Sequence, residues 1–127
     1  MENKILSVDD SSSIRKMVAY TLKSRGYSVT SAMDGQEALE SLAKERFDGI
    51  ILDINMPRMD GFTLLKKIRS EKHTASIPVI MLTTEGQERD KEEALALGAS
   101  AYIVKPFKPS ELVQVVEDVV GSASSGA

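Results

Sequence analysis

The sequence predicts an α/β fold in which a five-stranded parallel sheet carries helices on both faces. Short apolar runs alternate along the chain with longer segments of helical period, which is typical of repeated βα units. Right-handed crossovers between five such units place helices on both sides of a doubly wound sheet. Every strand then ends at the same edge, where open α/β sheets bind their ligands, so the functional site is expected there.

Length and composition narrow the possible functions. The 127 residues are the usual length of one domain, and the net charge of −3 comes from interspersed acids and bases. Without a basic face, the chain is not expected to bind nucleic acid. The sequence has no cysteine, no bilayer-length apolar segment and no signal-peptide pattern, which predicts a cytoplasmic protein without membrane insertion. Residues 1–120 are predicted to form the domain, and the small polar residues 121–127 a flexible tail that no effector domain follows.

The strands are predicted from apolar runs that turn residues and charged residues interrupt. Asp53 closes the third of these runs, and Pro78 begins the fourth, where a residue without an N–H is tolerated. The predicted strands cover residues 4–8, 27–32, 47–52, 78–82 and 101–104.

End signals place the helices between these strands. Gly26 and Gly98 stand where a left-handed residue ends a helix. Asp34, followed three positions later by Glu37, has the spacing of a capping box, and Pro109 suits the first turn of the last helix. These signals agree with the spacing of the apolar residues within each helix.

The segment 87–97 is helical by propensity but strongly charged. Ala94, Leu95 and Leu97 are the apolar residues that can anchor it to the sheet. It is therefore expected to be the least firmly packed helix and to be able to move.

Polar side chains stand at the ends of four predicted strands. Asp9 and Asp10 follow the first strand, Asp53 the third and Lys105 the fifth, and Thr83 ends the fourth. Carboxylates a few ångströms apart repel one another at reduced dielectric unless a cation binds them. Hard oxygen ligands with open positions favour Mg²⁺, which shares its remaining sites with water and phosphate. The sequence therefore predicts phosphoryl chemistry on an aspartate.

Five motifs together are similar in order and spacing to those of response-regulator receiver domains, and to the free-standing CheY-like kind in particular. The similarity extends over residues 4–120. It implies a flavodoxin-like (βα)5 fold with the strand order 2-1-3-4-5. The motifs are Val8-Asp9-Asp10, Ile51-Leu52-Asp53, Met56-Pro57 with Asp60-Gly61, Met81-Leu82-Thr83 and Tyr102 to Phe107.

The resemblance also implies which residues act on phosphate. Asp53 would accept a phosphoryl group from a phosphohistidine of a sensor histidine kinase, a form of covalent catalysis by a carboxylate. Lys105 would hold the phosphoryl oxygens, and Thr83 would donate its hydroxyl to another of them, because phosphoryl transfer depends on alignment and on charge neutralisation. The peptide bond between Lys105 and Pro106 would be cis.

Mg²⁺ is the cofactor that the resemblance implies. Asp10 and Asp53 would bind the ion directly, the backbone carbonyl of Asn55 would add a third ligand, and Asp9 would act mainly through a water molecule. The charges balance, because three aspartates carry three negative charges while one Mg²⁺ and Lys105 carry three positive charges.

Further residues receive a role from the resemblance. Tyr102 would be a switch residue together with Thr83, and Asn55 and Glu85 would set the rate of phosphate loss. Thr84 stands where the family often has a smaller residue, so its branched side chain is expected to narrow access to the phosphoacceptor.

The predicted function is a phosphorylation-activated signalling switch of a chemotaxis-type two-component system. Phosphorylation of Asp53 would change the affinity for a downstream protein, such as a motor switch or a phosphatase, through the surface of the last two βα units. The chain would act as a monomer. It would not be an enzyme, apart from catalysing its own phosphorylation and dephosphorylation.

Some alternative functions share the motifs of a chemotaxis-type switch, and others fit the residues less well. A receiver of a phosphorelay or of a pilus-motility system would share the motifs above. An aspartyl-phosphate phosphatase usually needs a second acid where Asn55 stands, and an FMN carrier needs a Thr/Ser-Gly phosphate cradle that the loop after Asp10 lacks. A receiver-like scaffold that takes no phosphate would not need the intact set of acids, threonine and lysine.

Overall fold

A computed structural model of the protein describes residues 3–84 and 88–121. Within these ranges five strands alternate with five helices along the chain. The elements are β1 (Lys4–Val8), α1 (Ser12–Lys23), β2 (Ser28–Ala32), α2 (Gly35–Lys44), β3 (Gly49–Asp53), α3 (Gly61–Ser70), β4 (Val79–Thr84), α4 (Glu88–Ala96), β5 (Ala101–Lys105) and α5 (Pro109–Val119).

The strands form a single sheet in the order β2-β1-β3-β4-β5, and every neighbouring pair is parallel. This confirms the predicted strand order and the doubly wound architecture. Because all strands run in one direction, their carboxyl ends meet at one edge of the sheet, as the sequence predicted.

Two hydrophobic layers cover the sheet. Along the central strand β3, Ile50 and Leu52 pack into the layer that α2, α3 and α4 cover, whereas Ile51 packs into the layer under α1 and α5. All five residues of β3 are buried, as expected for a strand with helices on both faces. The central strand is therefore a rigid support for Asp53 at its end.

Side-chain caps fix the starts of three helices. Ser11 accepts a hydrogen bond from the N–H of Ile14 at the start of α1, and Asp34 and Asp60 do the same for α2 and α3. The capping-box interpretation of Glu37 needs one correction. Its carboxylate accepts from the N–H of Met33, one residue before the cap, at 2.8 Å.

A few predicted boundaries shift by one or two residues. β2 begins at Ser28 because the N–H of Tyr27 still bonds to the carbonyl of Leu22 in α1. β3 begins at Gly49, two residues after the predicted start. β4 continues one residue beyond Thr83, since Thr84 pairs with Lys105 of β5. The helix predicted over 87–97 is α4, and its first predicted residue lies outside the described residues.

Three further expectations concern one peptide bond, membrane insertion and the tail. The Lys105–Pro106 peptide bond is cis, as the family resemblance implied. Among the described residues, no helix is both long enough and apolar enough to cross a membrane. The tail predicted over 121–127 falls outside the described residues except for Gly121.

Candidate functional site

The predicted site residues meet at the carboxyl edge of the sheet. Val8 and Leu52 pair in register, so Asp9 and Asp53, the residues that follow them, stand side by side on neighbouring strands. On β4, Leu82 pairs with Asp53, so Thr83 is the next residue along that strand. Lys105 of β5 pairs with Thr84, the residue after Thr83. The sheet register alone therefore brings the acids, the threonine and the lysine to one place.

Asp9, Asp10 and Asp53 form a compact group of acids. One carboxylate oxygen from each lies within 4.8 Å of the others. Asp9 and Asp53 are buried, with 1% and 3% of their surface exposed, whereas Asp10 is exposed. Three hard oxygen donors with an open side fit Mg²⁺, which keeps part of its shell for water or phosphate.

Lys105 reaches into this group from β5. Its ammonium nitrogen Nζ donates to Oδ2 of Asp9 at 3.2 Å and to Oδ1 of Asp53 at 3.1 Å. Burial acts to lower the pKa of Lys105, but the charges of Asp53 and Asp9 and the hydrogen bonds to them leave it above its ordinary value. Lys105 therefore remains charged and neutralises part of the acidic group.

One ammonium does not offset the cost of burying Asp53. Desolvation, reinforced by the negative charge of Asp9, raises the pKa of Asp53 to about 6, although Lys105 works in the opposite direction. The carboxylate is thus poorly stabilised by the protein alone. An additional cation near Asp53 would remove this penalty, which supports the metal assignment on energetic grounds.

Asp9 is held in place through its own backbone and side chain. Its Oδ1 accepts from the N–H of Ser11 at 2.9 Å, and Arg15 of α1 donates to its carbonyl at 2.7 Å. Since Oδ2 accepts from Lys105, both carboxylate oxygens of Asp9 already have protein donors. Asp10, the adjacent residue, points to solvent and is open to a ligand.

Gly61 is a supporting residue to which the sequence analysis gave no role. A Cβ at this position would lie 2.5 Å from the carbonyl oxygen of Asp53 and 2.7 Å from Cα of Ile54. The N–H of Gly61 bonds to the carbonyl of Ile54 at 2.8 Å. A glycine directly after the N-cap Asp60, where a better helix former would be expected, was the signal that could have identified this close approach.

Thr83 lies behind the acids on β4. It is fully buried, and its hydroxyl has no hydrogen-bond partner within the described part of the chain. Next to it, Oγ1 of Thr84 accepts from the side-chain amide of Asn55 at 3.2 Å, which links the ends of β3 and β4. The effect of Thr84 on access to Asp53 stays a prediction.

Comparison with known proteins identifies the family. The model of the response regulator receiver domain matches residues 5–117. The chain is a receiver domain. The CheY homologue of Campylobacter jejuni (strain 81-176) is 45% identical over 123 residues, which is 95% of each chain. Other relatives are longer, and the receiver spans 48% of the probable transcriptional regulator ycf27 of Guillardia theta.

Solved structures agree with this assignment. CheY4 of Vibrio cholerae superimposes with a TM-score of 0.89 at 46% identity, covering 94% of this receiver and 99% of that chain. The receiver domain of a sensor histidine kinase from Pseudomonas aeruginosa gives a TM-score of 0.86 at 33% identity, covering 96% and 100% of the two chains. That structure contains a magnesium ion in its active-site cleft.

Of the remaining predicted residues, the structure describes Tyr102 and Asn55. Tyr102 stands on the edge strand β5 with 36% of its surface exposed, and the ammonium of Lys91 lies over its ring. Glu85 lies outside the described residues, so the structure places only Asn55 of the predicted dephosphorylation pair. Lys91 gives no signal in the sequence, because its partner Tyr102 is on a different element.

Proposed function

We propose that this receiver is a phosphorylation-activated switch of a two-component system, with Asp53 as the phosphoacceptor and a sensor histidine kinase as the donor. The observation that carries the proposal is the contact of Lys105 with both Asp9 and Asp53 inside a group of three acids. A buried carboxylate next to a cation-binding group and a fixed ammonium suits phosphoryl transfer, which depends mainly on positioning and on charge neutralisation.

Asp10, Asp53 and the backbone carbonyl of Asn55 would hold Mg²⁺, and Asp9 would contact it through water. The hydrogen bonds that Asp9 accepts from Ser11 and Lys105 support this indirect role, since each of its oxygens already accepts one hydrogen bond. When bound, the ion supplies positive charge that neutralises the acids and the phosphoryl oxygens.

In the transfer step, a carboxylate oxygen of Asp53 forms a bond to phosphorus while the N–P bond of the donor phosphohistidine breaks. The histidine nitrogen keeps the bonding electron pair and takes up a proton. Lys105 lies next to Oδ1 of Asp53 and would shift its hydrogen bonds to the phosphoryl oxygens. In hydrolysis, water then bonds to phosphorus while the bond from Asp53 to phosphorus breaks, which releases inorganic phosphate and restores the carboxylate. Asn55 and Glu85 set the rate of this step.

The response begins at Thr83. A phosphoryl group on Asp53 supplies an acceptor for the buried hydroxyl that lacks one in the described part of the chain. Thr83 would move toward the group, and Tyr102 would follow by rotating from its exposed position. The surface of α4, β5 and α5 would then bind its partner with a different affinity.

Similarity to the CheY homologues favours a chemotaxis-type role with a motor switch or a phosphatase as the target. A phosphorelay or a pilus-motility system is the second candidate. We place the protein in the cytoplasm as a monomer, with residues 1–120 as the receiver and 121–127 as its tail. It catalyses its own phosphorylation and dephosphorylation only.

Phosphoramidate, a small donor with an N–P bond, tests the acceptor. Mass spectrometry should find one hydroxylamine-sensitive phosphate on the wild-type protein with Mg²⁺, and none on Asp53→Asn. Asp60→Asn is the matched control, because it changes an aspartate that caps α3 outside the acidic group. Stoichiometric phosphate on Asp53→Asn, attached to another residue of the group, would show that the acceptor is misassigned.

Thermal unfolding tests the metal. Saturating Mg²⁺ should stabilise the wild type by about 1 to 3 kcal/mol relative to EDTA, because the ion binds the folded state. Asp10→Asn should lose most of this increment while gaining stability in EDTA, since it relieves repulsion among the acids. Equal metal-dependent shifts in both proteins would remove Asp10 from the ligands.

A further inference from the structure

The contact between Lys91 and Tyr102 joins α4 to the edge strand. Nζ of Lys91 lies 5.1 Å from the centroid of the Tyr102 ring and donates to Oε1 of Glu88 at 3.0 Å. This distance is within the range of a cation–π interaction. Although α4 is a surface helix, the Lys91 side chain is only 20% exposed, because it lies along the ring.

The ion pair alone does not explain this arrangement. Glu88 is 77% exposed, and ion pairs at such positions contribute little to stability. The hydrogen bond to Glu88 raises the pKa of Lys91, so the ammonium over the ring is charged at neutral pH, as a lysine ordinarily is. The ring of Tyr102, by contrast, is 36% exposed and has the Lys91 ammonium over it.

α4 has few other ties to the sheet. Ala94 is its one buried residue among those described, and Leu95 is exposed. Lys91 adds a contact between α4 and β5 through its ammonium and the Tyr102 ring. Any inward rotation of Tyr102 has to break the contact with Lys91, because the ring would move away from the ammonium.

We propose that Lys91 is a positioning residue that holds Tyr102 outward and thereby favours the unphosphorylated arrangement of the α4–β5 surface. This rests on the proposed function, in which Tyr102 rotates inward when Thr83 moves toward the phosphorylated acceptor. Part of the free energy gained from the phosphoryl contacts is then needed to break the contact between Lys91 and the Tyr102 ring. An interaction that stabilises only the inactive state weakens an activating ligand by the same factor.

The probe is beryllofluoride with Mg²⁺, which imitates a phosphoryl group on an aspartate. Lys91→Met removes the charge and keeps an apolar stem of similar length, whereas Lys91→Arg keeps a cation over the ring. Arg89→Met is the matched control, since it removes an exposed cation from the same helix. Affinity is measured by calorimetry, and the Tyr102 ring is followed by NMR with ¹³C-labelled tyrosine.

Lys91→Met should bind beryllofluoride about two- to fivefold more tightly than the wild type, as expected for losing an exposed cation–π contact. Its Tyr102 ring signal should already be shifted toward the bound position without ligand. Lys91→Arg and Arg89→Met should resemble the wild type in both measurements.

Equal affinity and an unshifted ring signal in Lys91→Met would overturn the proposal, and weaker binding would show that Lys91 supports the active arrangement instead. If the wild type bound no beryllofluoride, the proposed function would fail. The ring signal of the free proteins would still decide whether Lys91 positions Tyr102, so the two failures are distinguishable.

Discussion

The β3–α3 side of the acidic pocket is anchored to the backbone of the sheet, whereas the β4–α4 side is held by few buried contacts. α3 starts at the Asp60 cap, approaches the carbonyl of Asp53 at Gly61 and buries three leucine or isoleucine side chains. α4 buries Ala94 alone among its described residues. The acceptor needs a fixed geometry for transfer, while the response needs two arrangements of similar free energy.

Arg69 shows how the two sides are connected. It lies in the last turn of α3, and its guanidinium donates to the carbonyls of Gly98, Ile77 and Ala75. Gly98 follows α4 and has a φ of +101°. The end of α4 is therefore tied to the rigid side, so motion of α4 is expected to increase toward its start.

Gly61→Ala should give the largest effect, because it attacks the rigid side directly. The new Cβ would meet backbone atoms of Asp53 and Ile54 that cannot move without displacing the acceptor. We expect a loss of roughly 3 to 4 kcal/mol in the free energy of unfolding, measured with urea.

Gly35→Ala is the matched control for Gly61→Ala. Gly35 also follows an aspartate cap at the start of a helix, but its Cβ would meet the side chain of Met59, which is flexible. Its cost should stay below about 1 kcal/mol. Similar costs for the two substitutions would mean that close backbone packing does not distinguish the β3–α3 side.

Asp53→Asn should change how stability depends on pH in EDTA. Below about pH 4 the Asp53 carboxyl is mostly protonated in both the folded and the unfolded protein. As the pH rises toward the folded-state pKa of about 6, the unfolded chain loses its proton first, so the wild type loses stability over this window. Asparagine cannot titrate, so the variant should be more stable above pH 6, by on the order of 2 kcal/mol.

Urea unfolding at pH 4, 5, 6 and 7 measures this effect, with Asp60→Asn as the control that keeps the wild-type slope. Asp9 remains a partner of Lys105 in Asp53→Asn, so the ammonium is not left unpaired. Parallel pH profiles for the wild type and Asp53→Asn would show that burial of Asp53 carries no penalty.

The position of the site could be predicted from the sequence because its residues end strands. Asp9, Asp53, Thr83 and Lys105 each follow or close an apolar run, and parallel strands end at one edge. The sequence could not predict that Asp9 is buried while Asp10 is exposed. This difference depends on the turn in which the N–H of Ser11 donates to the side chain of Asp9.

Side-chain contacts between different helices, strands and loops could not be predicted from the sequence pattern either. Lys91 lies over Tyr102 because α4 packs next to β5, and the periodicity within one element does not show which residues of another element it meets. The same holds for the link between Asn55 and Thr84, whose residues are 29 positions apart. The resemblance supplied roles for single residues, whereas the pairs emerge from packing.

Thr83→Val tests the β4 side, with a smaller expected effect. Removing a buried hydroxyl that has no partner in the described residues should stabilise the unphosphorylated protein by about 1 kcal/mol. Thr74→Val is the matched control, since its buried hydroxyl donates to the carbonyl of Ile68 at 2.6 Å and its loss should destabilise by about 1 to 2 kcal/mol.

Thermal melts in EDTA measure both threonine variants. In addition, Thr83→Val should bind beryllofluoride without the shift of the Tyr102 ring signal that the wild type shows. A destabilised Thr83→Val would indicate that the hydroxyl has a partner in the unphosphorylated protein, and the β4 side would then be less free to move than we infer.

Arg58→Gly should give the smallest effect and reports the strain stored on the rigid side. Arg58 has a φ of +67°, a left-handed conformation that costs a residue with a Cβ about 1 to 2 kcal/mol. Its ion pair with Asp34 at 3.5 Å offsets little, because the Arg58 side chain is 82% exposed. After the greater chain entropy of glycine in the unfolded state is counted, we expect a net gain of about 0.5 kcal/mol in the free energy of unfolding, measured with urea.

Arg58→Ala is the control, because it keeps the strained backbone and removes the ion pair, so its free energy of unfolding should not increase. If alanine stabilised the protein as much as glycine, the left-handed backbone would carry no strain, and the loop after β3 would owe its shape to side-chain packing alone.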